Sequence, residues 1–300
     1  MPTAHVTFDK PLNACPLCGF GEIHEYDNDY RKRKIFRCRV CQIKFMNPQY
    51  TDEYLDHMYS HYIDLERTNQ PNDIAHKIAS KTDDFQLISR YARPGRFLAV
   101  GCGDGVELEI AAQRGWIVEG YDVNARTTAA VARRTGAKIY TGNFFALDLP
   151  ADTYDCVYLD QVLEHPKNPA DYLAESQRLL KAGGLLYVGC PNIMSMACQY
   201  KTILGKLNLK RSNRGRHYDT FHHLFYYTPS VLNRILQRQF GFQVLSVEGT
   251  PLTGARHYRR GQRWYDPPLN YVRRKIPALE STFRILARKM LVDGQNHAAA

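Results

Sequence analysis

Three groups of residues in this 300-residue chain have types and spacings suited to chemistry. Cys15-x2-Cys18 and Cys38-x2-Cys41 form two thiol pairs, nineteen residues apart. A CxxC turn presents both thiolates to one metal, so two such turns complete a tetrahedron, the pattern of a zinc ribbon. Four thiolates leave no open position, which predicts a structural and not a catalytic zinc. The second group is Gly101, Gly103 and Gly105 in "LAVGCGDG". Glycines between a strand and a helix allow a sharp turn and let a ligand approach where a Cβ would intrude. Asp122 closes "GYD" about twenty residues on, where a carboxylate can accept hydrogen bonds from ribose hydroxyls. Val106 stands where a dinucleotide fingerprint has its last glycine, which favours a ligand without pyrophosphate. The third group is histidines: His165 in "DQVLEH", and His217, His222 and His223 in "RHYDTFHHLFYYTP". Imidazole titrates near neutrality, so each is a candidate proton acceptor. The alternatives are local: His165 ordering the loop before Pro166, and His222 and His223 packing. Tyr218, Tyr226 and Tyr227 fit either pocket walls or core.

These groups need elements to hold them. "RFLAVG", "WIVEGYD", "AKIYTG", "YDCVYLD" and "GLLYVGC" read as five buried strands. Between them "GVELEIAAQRG", "NARTTAAVARRTG" and "PADYLAESQRLLKAG" read as helices, with Asn124 an N-cap and Gly115 and Gly136 terminators. The alternation predicts an α/β, Rossmann-like, doubly wound and mostly parallel sheet. A zinc ribbon is expected over 1–50, a helical cap or linker over 51–92, and the main domain over 93–300. Within it, 193–224 breaks the alternation as a substrate-side insertion. "ESTFRILARKMLV" reads as a last antiparallel strand or as a basic amphipathic helix, with the strand preferred.

Composition bounds the function. With 44% apolar and 23% charged residues the chain is ordinary globular protein. No apolar run is long enough to span a membrane, and the N-terminus lacks a secretory leader, so a cytoplasmic location with reduced thiols is expected. Cys102, Cys156, Cys190 and Cys198 read as small buried residues. The net charge of +10 is uneven: residues 191–300 hold 18 Lys+Arg and 5 Asp+Glu, against 22 and 25 in residues 1–190. That excess predicts an anionic partner, and peripheral membrane contact through the same surface is a further expectation. "RKRKIFRCRVC" invites a nucleic-acid reading, but residues 1–60 carry eight basic and eight acidic residues. "EIHEYDND" just before it supplies the balancing charge across a hairpin.

"FLAVGCGDGVELEIAAQRGWIVEGYDVN" and "GNFFALDLPADTYDCVYLDQVLEHPKNP" resemble the motifs of class I S-adenosylmethionine-dependent methyltransferases. The resemblance runs over about 95–190 and 225–248, roughly 40% of the chain. It implies that Gly101, Gly103 and Gly105 flank the amino-acid part of the cofactor and that Asp122 holds the ribose diol. Asn143, where an aspartate is commoner, and Phe144 would contact adenine, while Asp160 and Gln161 would line the methionine portion. In related quinone O-methyltransferases an ExxEH stretch binds a divalent cation; here its first position is Gln161. The N-terminal segment is similar to that of zinc-binding sugar C-methyltransferases, and also to an rRNA guanine-N1 methyltransferase whose second pair includes a histidine. The resulting expectation is methyl transfer to an anionic small molecule, such as a nucleotide-linked or lipid-linked sugar. RNA methylation is the alternative, and a non-catalytic zinc-ribbon interaction protein the third.

Overall fold

A computed structural model describes residues 5–62, 71–207, 218, 221–250 and 266–290. Three N-terminal strands, β1 (Ile23–Asn28), β2 (Lys34–Cys38) and β3 (Lys44–Met46), form an antiparallel meander. Helices α1 (Asp52–Tyr62) and α2 (Pro71–Ile88) follow. The chain then alternates β4 (Arg96–Val100), α3 (Val106–Gln113), β5 (Ile117–Tyr121), α4 (Ala125–Thr135), β6 (Lys138–Tyr140), β7 (Tyr154–Asp160), α5 (Pro169–Leu179) and β8 (Leu180–Pro191). After α6 (Met196–Lys206) come β9 (Phe225–Tyr226), α7 (Pro229–Arg238), β10 (Phe242–Gly249), α8 (Asp266–Lys275) and β11 (Thr282–Lys289).

Seven strands form one sheet in the order β10-β11-β8-β7-β4-β5-β6. Its pairs are parallel except those of β11, which runs antiparallel to both β8 and β10. "ESTFRILARKMLV" is therefore the strand, as preferred. Period-two alternation sorts the side chains: Leu98, Val100, Val157, Leu159, Leu186 and Val188 pack on one face, Phe97, Ala99, Cys156, Tyr158 and Tyr187 on the other. The helix expected over "PADYLAESQRLLKAG" stops at Leu179, because Leu180 turns extended and pairs with Tyr154 of β7. Asn124 caps α4 by accepting from the Arg126 and Thr127 N–H groups, and Gly136 ends it in the left-handed conformation. Cys102, Cys156 and Cys190 are buried and Cys198 partly so.

Helix α2 is tied to the sheet by charge. Asp84 accepts from the Tyr158 and Tyr187 hydroxyls at 2.6 Å each and from Arg284 of β11 at 2.9 Å. Arg284 also bonds Glu248 of β10 at 2.8 Å. All five side chains are buried, and stripping one partner from such a network costs about 3–5 kcal/mol.

The meander gains a fourth strand from far along the chain: β9 pairs with β3 through Lys44 opposite Tyr226 and Phe45 opposite Phe225. Its apolar residues, Ile43, Phe45 and Tyr50 among them, merge with Leu163, Phe225 and Tyr227 in one core. The basic run is absorbed locally. Lys34 pairs with Glu25 at 2.7 Å, while Arg31 lies over Phe221 and Arg33 over Tyr50. Among the described residues no helix is long and apolar enough to cross a membrane. His217, with 208–216 and 219–220 of the insertion and 254–265 of the basic stretch, lies outside the described residues.

Candidate active site

In this strand order the chain moves outward from β4 in two directions, through β5 to β6 and through β7 to β8. Such a switch point opens a crevice at the carboxyl ends of the strands. A cleft of about 240 Å3 lies there, walled by the residues that follow β4, β5 and β7. Gly101 has φ +72°, and a Cβ on it would come 2.7 Å from Val162 Cγ2, so glycine is required on both counts. Gly103, at φ +46°, faces open space. Gly105 precedes α3, where Val131 fills the room a Cβ would need.

Asp122 lines the same cleft. Its two carboxylate oxygens accept from the Gly103 and Asn124 N–H groups, each at 2.9 Å. Each oxygen keeps a further acceptor position. Burial pushes its carboxyl above the ordinary range, and the two N–H bonds work against that. Gln161 also faces the cleft, held at φ +57° with its N–H bonded to the Gly189 carbonyl at 2.9 Å. A left-handed non-glycine residue at the end of a strand is strained, a feature that clusters at ligand sites.

The other expected cofactor residues sit further back. Asp160 is paired with Lys81 of α2 and is not among the residues that wall the cleft. Asn143 is exposed, its side chain accepting from the Phe145 N–H at 3.1 Å. Phe144 is buried behind the wall, 4.7 Å from the Tyr121 ring and stacked on Tyr172 at 5.5 Å. Tyr121 and Tyr172 themselves face the cleft, as does Tyr59 from α1. Sequence reasoning missed both Tyr59 and Tyr172. The periodicity of α5 could have exposed Tyr172, but nothing local in α1 points to Tyr59.

The histidines converge. His165 lines the cleft, with its ring 5.4 Å from His222 and 5.0 Å from His223. Burial, reinforced by the neighbouring histidines, lowers His165 to about 4 and His223 to about 2, so both rings are neutral at pH 7. Glu164 lies beneath them, fully buried, and burial raises its carboxyl to about 8. Tyr218, Tyr226 and Tyr227 are core and not pocket wall. Their hydroxyls bond Asp27, the His223 carbonyl and the Leu163 carbonyl.

The four ribbon thiols also converge. Cys15 and Cys41 Sγ are 3.7 Å apart, Cys18 and Cys38 Sγ 3.6 Å, and all four atoms lie within 4.8 Å of one another. A tetrahedron with metal–sulfur bonds of about 2.3 Å has edges of about 3.8 Å, so the set is compatible with zinc.

The family profile described as a methyltransferase domain matches residues 72–247, more than half of the chain. A probable S-adenosylmethionine-dependent methyltransferase of Mycolicibacterium smegmatis is 32% identical over 43% of this chain and 51% of its own length. A ubiquinone biosynthesis O-methyltransferase of Saccharophagus degradans is 29% identical over 59% of this chain and 75% of its own. The chain thus spans a third to a half of the length of some curated relatives and three quarters of others. Among solved structures, a SAM-dependent methyltransferase of Thermotoga maritima superposes with a TM-score of 0.53 at 18% identity, covering 78% of this chain and 99% of that one, which is a likeness of fold. The profile match, the strand order and the cleft at the switch point agree, and the chain belongs to the class I S-adenosylmethionine-dependent methyltransferases.

Proposed function

We propose that this methyltransferase acts on a hydroxyl of an anionic small molecule, such as a nucleotide-linked or lipid-linked sugar or an acidic phenol. The observation that carries the reading is the position of His165 on the cleft wall, beside Asp122 and the glycine loop. The basic excess of residues 191–300 supports an anionic acceptor, and the ubiquinone O-methyltransferase relative supports oxygen as the acceptor atom. When bound, S-adenosylmethionine supplies an electrophilic methyl group. The open face of Gly103 and the spare acceptor positions of Asp122 fit its amino-acid and ribose parts. Asn143, Phe144, Asp160 and Gln161 complete the proposed cofactor set. His165, His222 and His223 face the acceptor, orient it and take up its proton. Zinc on Cys15, Cys18, Cys38 and Cys41 braces the N-terminal sheet.

RNA is the competing acceptor. The ribbon argues against it, since Lys34 is matched by Glu25 and arginines beside it lie on the protein's own rings. The test is methyl transfer from radiolabelled S-adenosylmethionine into a cell extract, with and without ribonuclease. Label in the small-molecule fraction, unchanged by ribonuclease, is expected. Label confined to ribonuclease-sensitive material would overturn the small-molecule reading.

A further inference from the structure

The His165 side of the cleft contains a feature that proton transfer alone leaves unexplained. Glu164 is fully buried, yet neither carboxylate oxygen has a hydrogen-bond partner among the described residues. An unsatisfied buried carboxylate is costly, and proteins retain one where an ion or ligand meets it. Two imidazole nitrogens face it: His165 Nε2 at 3.9 Å and His223 Nε2 at 4.0 Å from Oε1. Those separations are too long for hydrogen bonds. They are a few tenths of an ångström wider than two ligands subtend on one cation with bonds of about 2.1 Å.

The surroundings of His165 agree. Its Nδ1 is 3.1 Å from the His222 carbonyl, an acceptor, so Nδ1 carries the proton and Nε2 presents a lone pair toward Glu164. A ring whose far nitrogen donates to a carbonyl is the usual outer support of a metal-bound histidine. The backbone fixes the third member: the Glu164 carbonyl accepts from the Leu224 and Phe225 N–H groups at 2.7 and 3.1 Å, which docks the segment bearing His223 against Glu164. The ligand atoms of Glu164, His165 and His223 all lie within 4.8 Å of one another.

We infer that Glu164, His165 and His223 form a binding site for a divalent first-row cation, open toward the methyl-donor cleft. The incomplete ExxEH stretch is no obstacle, because a histidine fifty-eight residues beyond His165 takes the vacant role and Gln161 need not ligate. Two imidazoles and one carboxylate suit Mn2+, Fe2+, Co2+ or Zn2+ and leave coordination positions free. The site deepens, and rests on, the hydroxyl-methylating reading. With the cation bound, the Nε2 atoms of His165 and His223 are ligands and no longer take up the proton directly: an acceptor hydroxyl on the cation loses its proton to water more readily, and its oxygen then bonds the methyl carbon while the carbon–sulfur pair stays on sulfur.

The test titrates Mn2+ into the 300-residue chain loaded with a single equivalent of zinc, enough for the four thiols alone, and follows the free-ion signal by electron paramagnetic resonance. Uptake of one equivalent is expected, weakened ~10-fold or more in both Glu164→Gln and His223→Gln. Ribbon zinc, measured by elemental analysis, should stay unchanged in both variants. No saturable uptake of Mn2+, or of Co2+ as a second probe, would overturn the site, as would equal uptake by both variants. Should one variant fail to fold, the other together with His165→Gln decides. S-adenosylmethionine binding, measured by calorimetry on the same samples, separates the two readings. Cofactor binding without Mn2+ uptake refutes the cation site alone, and Mn2+ uptake without cofactor binding refutes the methyl-transfer reading and leaves the cation site standing.

Discussion

Replacing Asp122 by asparagine isolates the charge at the proposed ribose contact with little change in shape. In the folded protein each carboxylate oxygen already accepts one backbone N–H, from Gly103 and from Asn124, and only the remaining positions are open to a ligand. Asparagine keeps one acceptor oxygen and turns the other position into a donor that meets a backbone N–H head on. At least one hydrogen bond from a ribose hydroxyl to a charged acceptor is lost, worth about 1.5–3 kcal/mol. That corresponds to about 10- to 150-fold weaker S-adenosylmethionine binding. The donor-to-donor contact costs the unliganded protein about 1–3 kcal/mol, partly offset because a neutral amide is cheaper to bury than a carboxylate. Calorimetric titration should therefore show the affinity loss, and thermal unfolding without ligand a drop of only a few degrees. Cofactor affinity within twofold of the parent protein, in a variant that unfolds as cooperatively as the parent, would refute the ribose role.

Two other perturbations probe the scaffold. Cys38→Ser breaks the four-thiol set and should reduce bound zinc from one equivalent toward none in elemental analysis; full retention would show that the thiols do not hold it. Glu107, buried in α3, has its carboxyl raised by burial from 4.5 to about 7, so between those values the folded state holds the extra proton. Stability should fall as pH rises through that window and level off above it, by about 3 kcal/mol in all. Glu107→Gln should flatten this slope in unfolding curves recorded from pH 4.5 to 8, and an unaltered slope would assign it to other groups.

The glycine-ended strands, the Asn124 cap and the Asp122 turn were legible because their causes are local: an apolar run, a cap and a tight turn each occupy a few neighbouring residues. β11 was harder. Its Arg284 looks solvent-seeking in isolation, and only Asp84, two hundred residues away, and Glu248 make a buried arginine tenable. The sequence marks His223 as a candidate proton acceptor, but its approach to Glu164 depends on backbone bonds at Leu224 and Phe225 that no spacing rule encodes. Tyr59 is brought to the cleft by the placement of α1, a matter of packing between elements. Asp160 was legible in part for a related reason: its strand-end position could be recognised, whereas its pairing with Lys81 of α2 involves another segment.

The fourth strand of the N-terminal sheet sets a timetable for synthesis. Residues 5–50 leave the ribosome before the strands of the large sheet, and Phe225 and Tyr226 of β9 emerge about 180 residues after β3. At ordinary elongation rates that interval is roughly 10–40 s. Through it the meander has an open edge at β3 and lacks the Leu163, Phe225 and Tyr227 side of its core. The four thiols are exposed to metal from the outset, so if they hold the proposed zinc, its supply during translation guards the nascent chain at its most vulnerable point. The ribbon is thus begun before the catalytic sheet and finished after most of it.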